Sequence, residues 1–329
     1  MDNELLLFDR LEVIKTTIEK YGEDNFYLSF SGGKDSTTLH YLLDMALPNN
    51  KIPRVFGNTG IEYNEIVTFV KTLAENDERF VLVKPSKPIK ETLEVYGYPF
   101  KSKQYSAVIK CYQRHREEIK PYFEMIKNNP TLLDDYEFIH NLPKNVKFVV
   151  KFYYGRRERE RESCTATLTV PKLLKYQFSD DFKLKLSDRC CEMIKEKPLA
   201  KWSKENHKPF VIMGLMQAEG GRRQNTKCVV IDKTTMHFSP LAVMSSEWEQ
   251  WFIDKYNIQL CKLYYEPYNF RRTGCKGCPF ALELQDQLET MERYFPAERK
   301  QCEIIWKPVY EEYRRIGYRL KKDEQLKLL

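Results

Sequence analysis

The sequence predicts an α/β protein built on a doubly wound, Rossmann-like parallel sheet. Short apolar runs with strand character alternate with helix-like stretches over the first 85 residues, and the pattern resumes near residue 209. The first run, Phe26 to Phe30, leads directly into a glycine turn and then into a helix with apolar periodicity. Strand, glycine turn and helix in this order form the usual anion site of α/β proteins.

The elements are predicted in the following order. An amphipathic helix covers residues 1–24 and ends near Gly22. Apolar runs predict further strands at Pro53 to Phe56, Phe80 to Val83 and Pro209 to Gly214. Periodic stretches predict helices at Asn64 to Ala74, Ser245 to Tyr256, and about 281–295 and 298–316.

Regularity fades between about residues 86 and 185, a span that is rich in Lys, Tyr and Pro. We predict a mostly helical insertion there. The predicted organisation is an N-terminal helix (1–24), a nucleotide-binding domain with this insertion (25–260), and a C-terminal helical segment that begins with a cysteine loop (261–329).

Composition is that of an ordinary globular protein, with 42% hydrophobic and 31% charged residues in 329. No apolar run is long enough to span a bilayer, and the start, MDNELLLFDR, lacks a signal-peptide pattern, so we expect a cytoplasmic protein without a membrane partner. The net charge of +7 favours polyanionic partners without requiring them. The run from Gly155 to Ser163 alternates Arg and Glu, which is more typical of a solvated face than of a nucleic-acid patch.

The glycine turn has the chemistry of a phosphate site. Its residues are Ser31, Gly32, Gly33, Lys34, Asp35 and Ser36. The glycines let backbone N–H groups approach a phosphate, and the following helix adds partial positive charge at its N-terminus. Lys34 supplies a full charge, the two serines supply hydroxyl donors, and Asp35 can carry Mg²⁺. A nucleotide enzyme is therefore predicted.

Four of the nine cysteines predict a metal site. Cys190 and Cys191 are adjacent, and Cys275 and Cys278 form a CxxC pair between glycines 274 and 277. An odd cysteine count without a signal peptide argues against a disulfide framework. Four thiolates suit zinc or an iron–sulfur cluster. Adjacent cysteines favour the larger cluster, and zinc stays the alternative.

The glycine turn and the cysteine pattern each resemble a sequence motif of one protein family. The string SGGKDS resembles the PP-loop of the ATP pyrophosphatase superfamily, whose members cleave ATP between its α and β phosphates. A Cys-Cys pair followed after 83 residues by CxxC is similar to the [4Fe–4S] pattern of adenylylsulfate (APS) reductases. These reductases belong to the phosphoadenosine phosphosulfate (PAPS) reductase family, a branch of the same superfamily. The resemblance implies a [4Fe–4S] cluster on the four cysteines.

The resemblance extends to other segments and implies further nucleotide-binding residues. The string NTGIEY resembles the family loop that lies against the nucleotide, and GLMQAEGGRR resembles its substrate-binding segment. The residues implied in this way are Asn58, Thr59, Gly60, Glu62, Gly214, Glu219 and Arg223. Catalytic roles are expected for Lys34, Asp35 and Arg223.

Departures from the family pattern favour ATP over a sulfonucleotide. The PP-loop is intact, whereas APS and PAPS reductases usually have an eroded one. Met216 stands where the family has an arginine for the sulfate, and no cysteine follows Cys302, although the reductases use a cysteine in their C-terminal tail. Thio-modification ATP pyrophosphatases combine an intact SGGKDS with a [4Fe–4S] cluster.

The preferred hypothesis is an enzyme that uses ATP and Mg²⁺ to adenylate an acceptor for sulfur transfer. Expected partners are an adenine nucleotide, a sulfur donor such as a cysteine desulfurase or thioredoxin-like protein, and tRNA or DNA. Cys164 or Cys228 are candidate persulfide carriers, although a buried, unreactive thiol is the more common state. Two alternatives remain: a sulfonucleotide reductase that forms sulfite, and a non-catalytic nucleotide- or nucleic-acid-binding subunit with a structural cluster.

Overall fold

A computed structural model describes residues 2–155 and 169–321 of the chain. In these residues a mostly parallel sheet has the strand order β3-β2-β1-β4-β6-β5. Its strands are β1 (Phe26–Phe30), β2 (Arg54–Gly57), β3 (Phe80–Val83), β4 (Phe210–Ile212), β5 (Val229–Asp232) and β6 (Thr235–Phe238). The predicted α/β class and parallel sheet are confirmed.

The central strand β1 determines where a ligand site can form. Parallel pairing aligns Leu28 with Arg54 of β2 on one side and with Ile212 of β4 on the other. Because the chain winds from β1 outward to β2 and β3, and later returns to place β4 on the opposite side, the winding direction reverses at β1. In open α/β sheets the crevice outside the carboxyl ends of the strands at such a reversal is where ligands bind.

The edge hairpin formed by β5 and β6 was not predicted from the sequence. β6 pairs in parallel with β4, and β5 returns antiparallel to β6. In β5 the side chains of Val230 and Ile231 are 44% and 54% exposed, so this edge strand lacks the alternation of a half-buried strand. The resulting mixed sheet is common among doubly wound folds.

Fourteen α-helices are assigned in the described ranges 2–155 and 169–321. The first eight are α1 (Asn3–Tyr21), α2 (Lys34–Ala46), α3 (Asn64–Asn76), α4 (Ile89–Tyr96), α5 (Lys103–Arg114), α6 (Arg116–Asn128), α7 (Tyr136–Asn141) and α8 (Lys144–Tyr154). The others are α9 (Arg189–Cys191), α10 (Lys197–Glu205), α11 (Ser246–Lys255), α12 (Leu284–Tyr294), α13 (Pro296–Ile305) and α14 (Lys307–Ile316).

The helix predicted at 298–316 is divided into α13 and α14 at Trp306. Pro308 lies in the first turn of α14. A proline inside a continuous helix would lose one hydrogen bond and clash with the preceding turn, whereas the first turn tolerates it.

The chain forms two compact units. The sheet unit consists of Met1–Ile89 and Glu192–Lys276, and the helical unit consists of Lys90–Cys191 and Gly277–Leu329. Within the helical unit, the Tyr313 hydroxyl of α14 accepts a hydrogen bond from Lys101 N (2.8 Å) and donates one to Pro279 O (2.9 Å). The Tyr313 ring also packs on Phe100, with 4.6 Å between centroids. The C-terminal helices therefore share a core with the insertion.

Two further findings concern the limits of the described chain. Among residues 2–155 and 169–321, every helix is too short or too polar to cross a bilayer. Cys164 and most of the Arg/Glu run from Gly155 to Ser163 lie outside the described residues.

Candidate functional site

The predicted phosphate loop lies at the reversal point of the sheet, between β1 and α2. Gly33 is the N-cap of α2, and Gly32 has a φ of 71°, a conformation that L side chains rarely adopt. A Cβ on Gly32 would lie 2.9 Å from Ile66 Cγ2 and 3.0 Å from Val70 Cγ2 of α3. The tight turn therefore requires glycine at this position.

The two serine hydroxyls brace this loop. Ser36 Oγ accepts a hydrogen bond from Ser31 N (3.2 Å) and donates to Gly33 O (3.0 Å). Ser31 Oγ lies 3.0 Å from Ser36 Oγ and accepts a hydrogen bond from Gly33 N (3.3 Å). Ser36 is buried, whereas Ser31 is exposed. Ser36 thus supports the loop, and Ser31 is the hydroxyl that a ligand can reach.

Tyr264 and Thr273 complete the hydrogen bonding of the phosphate loop, and neither was predicted as a site residue from the sequence. The Tyr264 hydroxyl accepts a hydrogen bond from Lys34 N (3.0 Å) and lies 2.7 Å from Thr273 Oγ1. Burial raises the pKa of Tyr264 to about 12, so the hydroxyl stays protonated at neutral pH. Thr273 lies two residues before Cys275 of the CxxC pair, whereas nothing in the spacing indicated Tyr264.

Lys34 forms an ion pair with a buried carboxylate that no sequence motif indicates. Lys34 Nζ lies 3.0 Å from Glu249 Oε2 on α11, and the Glu249 side chain is 0% exposed. Within the described chain, neither Glu249 oxygen has a hydrogen bond of good geometry, so the contact is mainly electrostatic. Burial and the nearby Asp35 raise the pKa of Glu249 to about 7, against the opposing effect of Lys34. A cleft of about 950 Å³ opens beside Lys34 along α11.

Asp35 lies near Arg223, one of two arginines that share a carboxylate. Arg223 Nη1 lies 4.0 Å from Asp35 Oδ2 and contacts Glu219 Oε2. Arg272 Nη2 contacts the other oxygen of Glu219, whose side chain is 7% exposed. Burial and the neighbouring Arg272 lower the pKa of Arg223 from its ordinary value. Glu219 orients two guanidinium groups, of which that of Arg223 lies near Asp35, an arrangement that suits an anion with its metal ion.

Gly214 allows the chain that leaves β4 to pass close to the phosphate loop. A Cβ at Gly214 would lie 2.8 Å from Asp35 O and 3.2 Å from Ser36 N. These are backbone atoms of the first turn of α2, so they cannot move aside cheaply. The role of Gly214 is therefore close packing of the strand β4 exit against the phosphate loop.

The loop that follows β2 is held by Glu62. Its buried carboxylate accepts hydrogen bonds from Thr59 N (2.9 Å) and Thr59 Oγ1 (2.7 Å). Lys195 Nζ lies 3.8 Å from Glu62 Oε1, and Asn58 Oδ1 accepts a hydrogen bond from Gly60 N (3.2 Å). Glu62 and Asn58 thus shape the loop, which leaves the exposed Gly60 at its tip.

The four predicted metal ligands are divided between the two units, with Cys275 in the sheet unit and the other three in the helical unit. Among residues 2–155 and 169–321, no group of three or more His, Cys, Asp and Glu side chains is placed to hold a metal ion. Cys190 is buried, and Cys191, Cys275 and Cys278 are half-buried. The predicted ligand set of Cys190, Cys191, Cys275 and Cys278 stays a prediction.

The CxxC loop lies against Cys302, which is not among the four predicted metal ligands. Within the helical unit, a Cβ at Gly277 would lie 2.8 Å from Cys302 Sγ of α13. Gly277 has a φ of 61°, and its carbonyl oxygen accepts a hydrogen bond from Tyr310. Only a residue without a side chain fits this turn. Cys302 is distant in sequence, so no motif indicated it.

Cys228, a candidate persulfide carrier, lies in an environment that favours the neutral thiol. Burial raises its pKa, and the opposing effect of Arg10 is smaller. The thiolate is the nucleophilic form of cysteine. The neutral, less nucleophilic thiol is therefore the favoured form of Cys228.

Fold and site together define an α/β protein with a glycine loop at the reversal point of its sheet and cationic groups from two further segments. The PAPS reductase domain family matches residues 25–124 and 133–281, which is more than half of the chain. The chain belongs to this family. An uncharacterized protein of Methanocaldococcus jannaschii is 29% identical over 114 residues, which is 34% of this chain and 27% of that protein.

Two solved structures are similar in fold at low identity. A PAPS reductase from Candida auris in a phosphate complex has a TM-score of 0.41 and 10% identity, covering 77% of this chain and 82% of its own. The U34-tRNA thiolase NcsA from Methanococcus maripaludis with its [4Fe–4S] cluster has a TM-score of 0.36 and 13% identity. The alignment covers 94% of this chain and 80% of the thiolase chain. Similarity at this level carries no inference about the site.

Gly214 provides a test of the site's packing. We expect Gly214→Ala to lower the free energy of unfolding by about 1–3 kcal/mol, because the new Cβ overpacks against backbone. Gly274→Ala is the matched control, since its Cβ meets nothing within 4 Å and should change stability by less than about 0.5 kcal/mol. Urea unfolding measures both. Equal effects of the two substitutions would contradict the packing role.

Proposed function

We propose that this chain is an ATP pyrophosphatase that adenylates an acceptor. One observation carries the proposal: Lys34, Asp35 and Arg223 converge at the N-terminus of α2, at the reversal point of the sheet. Lysine and aspartate together match a nucleotide with a β,γ-pyrophosphate and its Mg²⁺, whereas a sulfonucleotide offers no such group. The helix N-terminus and Lys34 supply positive charge where the leaving pyrophosphate accumulates negative charge.

The proposed reaction is a displacement at the α-phosphate. An acceptor oxygen attacks the α-phosphorus, the bond to the bridging oxygen breaks, and pyrophosphate leaves with its Mg²⁺. Lys34 and the backbone N–H groups of the loop hold the leaving pyrophosphate, and Asp35 binds the metal ion. Arg223 neutralises the α-phosphate. On binding ATP, Lys34 exchanges its contact with Glu249 for phosphate, so Glu249 holds the lysine in place beforehand.

Sulfur transfer is the proposed purpose of the adenylate. A sulfur nucleophile delivered by a cysteine desulfurase or thioredoxin-like partner would displace AMP from the acceptor, in a cytoplasmic setting. The spacing of Cys190, Cys191, Cys275 and Cys278 supports a [4Fe–4S] cluster, with zinc as the alternative. Such a cluster would carry sulfur or stabilise the fold. No step proposed for the ATP site depends on it.

Family membership favours a second candidate, reduction of APS or PAPS to sulfite. The arginine pair beside Glu219 suits a sulfate or a phosphate equally. Against this candidate, Met216 is an apolar side chain that is only 2% exposed, at the position where the family has an arginine for the sulfate.

Anaerobic ATP–pyrophosphate exchange tests the proposal. We expect Mg²⁺-dependent exchange of labelled pyrophosphate into ATP in the presence of tRNA, DNA or a small-molecule acceptor. Parallel equilibrium dialysis compares ATP with APS and PAPS. Tighter binding of ATP supports adenylation. Sulfite release from APS or PAPS, without exchange or ATP binding, would overturn it in favour of reduction.

A further inference from the structure

The helical unit contains a basic groove that the ATP site does not explain. The groove has a volume of about 1080 Å³ and is lined by residues of α4, α5, α6 and the segment 182–189. Its lining includes six cationic side chains, Lys110, Arg114, Arg116, Lys183, Lys185 and Arg189. All of them belong to the insertion between residues 90 and 191.

The walls of the groove are fixed to each other by hydrogen bonds. Tyr98 N donates to Lys185 O (2.8 Å), and Ser187 N donates to Tyr98 O (2.8 Å). The amide of Gln113 on α5 donates to Leu184 O (2.8 Å) and accepts from Leu186 N (3.1 Å). The segment 182–189 is therefore anchored against α5, and the groove is a preformed feature of this unit.

Positive charge exceeds negative charge in the groove. Two carboxylates, Glu117 and Glu118, belong to the lining. Two more lie beside it: Asp188 pairs with Lys110, and Asp180 pairs with Arg116 (3.2 Å) and with Lys120 (2.7 Å). Even with these included, the cations named here outnumber the carboxylates by seven to four. The groove therefore attracts anions.

The cations come from three elements of the groove: α5, α6 and the segment 182–189. Lys110 and Arg114 are about one helical turn, or about 6 Å, apart along α5. Lys183 and Arg189 are separated by six residues, which span at most about 20 Å. A single phosphate cannot contact charges distributed in this way, but a chain of phosphates can.

An aromatic side chain adds a contact suited to bases. The Arg189 guanidinium lies 5.7 Å from the centroid of the Tyr96 ring, and both line the groove. Stacking of bases on aromatic rings and guanidinium planes, beside a cationic track for phosphates, is how proteins bind single-stranded nucleic acid. An acidic peptide would use the cations but would have no use for this pair.

We propose that this groove binds a single strand of nucleic acid through its phosphates, with Tyr96 and Arg189 as the base contact. The proposal does not depend on ATP chemistry, because the groove lies wholly within the helical unit. It assigns a function to the insertion, for which the sequence resemblance supplied none.

Fluorescence anisotropy of the full-length protein with a labelled 20-nucleotide RNA, without ATP, tests the proposal. The same sequence as single-stranded DNA distinguishes the two polynucleotides. If three or four phosphates are contacted, the logarithm of the binding constant should fall with the logarithm of KCl concentration with a slope of about −2 to −3. Phosphatidylserine vesicles and a poly-glutamate peptide serve as competing polyanions.

Charge variants localise the binding. Arg114→Gln with Lys183→Gln should weaken binding about tenfold at 100 mM KCl and reduce the salt slope by about 1.4, because two phosphate contacts are lost. Arg114→Lys with Lys183→Arg retains the charge and should retain binding, which excludes a folding defect. Lys127→Gln with Lys172→Gln removes two exposed lysines of the same unit outside the groove and should leave binding unchanged.

Two outcomes would overturn the proposal. One is absence of salt-dependent binding to either oligonucleotide, or stronger binding to vesicles or poly-glutamate. The other is equal weakening by the groove variant and the Lys127/Lys172 control. Because ATP is omitted, loss of nucleic-acid binding and loss of ATP–pyrophosphate exchange are separate results.

Discussion

Replacing Lys34 with methionine is expected to lower ATP–pyrophosphate exchange by about 10²–10³-fold, the usual cost of removing one preorganised group that stabilises developing charge. Methionine keeps much of the length of the side chain but removes the charge that would hold the leaving pyrophosphate. Exchange rates at saturating ATP and Mg²⁺ measure the effect. Lys71→Met changes an exposed lysine on α3 of the same unit and should leave exchange unchanged.

A second variant separates this effect from a folding defect. Lys34→Met leaves the buried Glu249 without its cation, and such a carboxylate destabilises the fold or takes up a proton. The double variant Lys34→Met with Glu249→Gln removes both charges. We expect it to unfold like the wild type but to remain inactive. Recovery of exchange in the double variant would show that Lys34 only neutralises Glu249.

Glu249 itself should make stability depend on pH. Its pKa is raised from 4.5 to about 7 in the folded state, so between these values the folded protein holds a proton that the unfolded chain has released. Stability from this group is therefore complete below pH 4.5, falls as pH rises, and is lost above pH 7.

Urea unfolding at pH 5 and pH 8 checks this expectation. The Glu249→Gln variant lacks this pH-dependent contribution to stability. The free energy of unfolding of the wild type, relative to that of the variant, should therefore decline from pH 5 to pH 8. Glu247→Gln is the control, because Glu247 lies exposed in the first turn of the same helix. A parallel pH dependence of wild type and Glu249→Gln would refute the raised pKa.

The sequence predicted the sheet's main strands because their apolar runs are local signals. The strands at Phe26–Phe30 and Phe80–Val83 have the predicted bounds, and the strand at Arg54–Gly57 differs by one residue at each end. The glycine turn was recognisable for a similar reason, since a strand, a tight turn and a helix start are consecutive in the chain. The edge hairpin escaped prediction because its outer strand packs little and shows no alternation.

The partners of the site residues could not be read from the chain. Glu249 occurs among Trp248, Trp251 and Phe252, where helical periodicity indicated a core face, and one carboxylate in such a helix gives no signal of its own. Tyr264 and Arg272 likewise follow no spacing rule. Tyr264 contacts Lys34 across 230 residues of sequence, and Arg272 contacts Glu219 across 53 (272 − 219).

The sequence by itself determined the fold class, the phosphate loop and the family features, because these depend on periodicity and on residues close together in the chain. Only the tertiary structure decided which groups surround Lys34 and Asp35, and that the insertion shares a core with the C-terminal helices. The tertiary structure also forms the basic groove from four segments, none of which by itself indicates a binding site in the sequence. The physical reason is that burial and ion pairing join residues distant in sequence, and a local pattern does not encode such contacts.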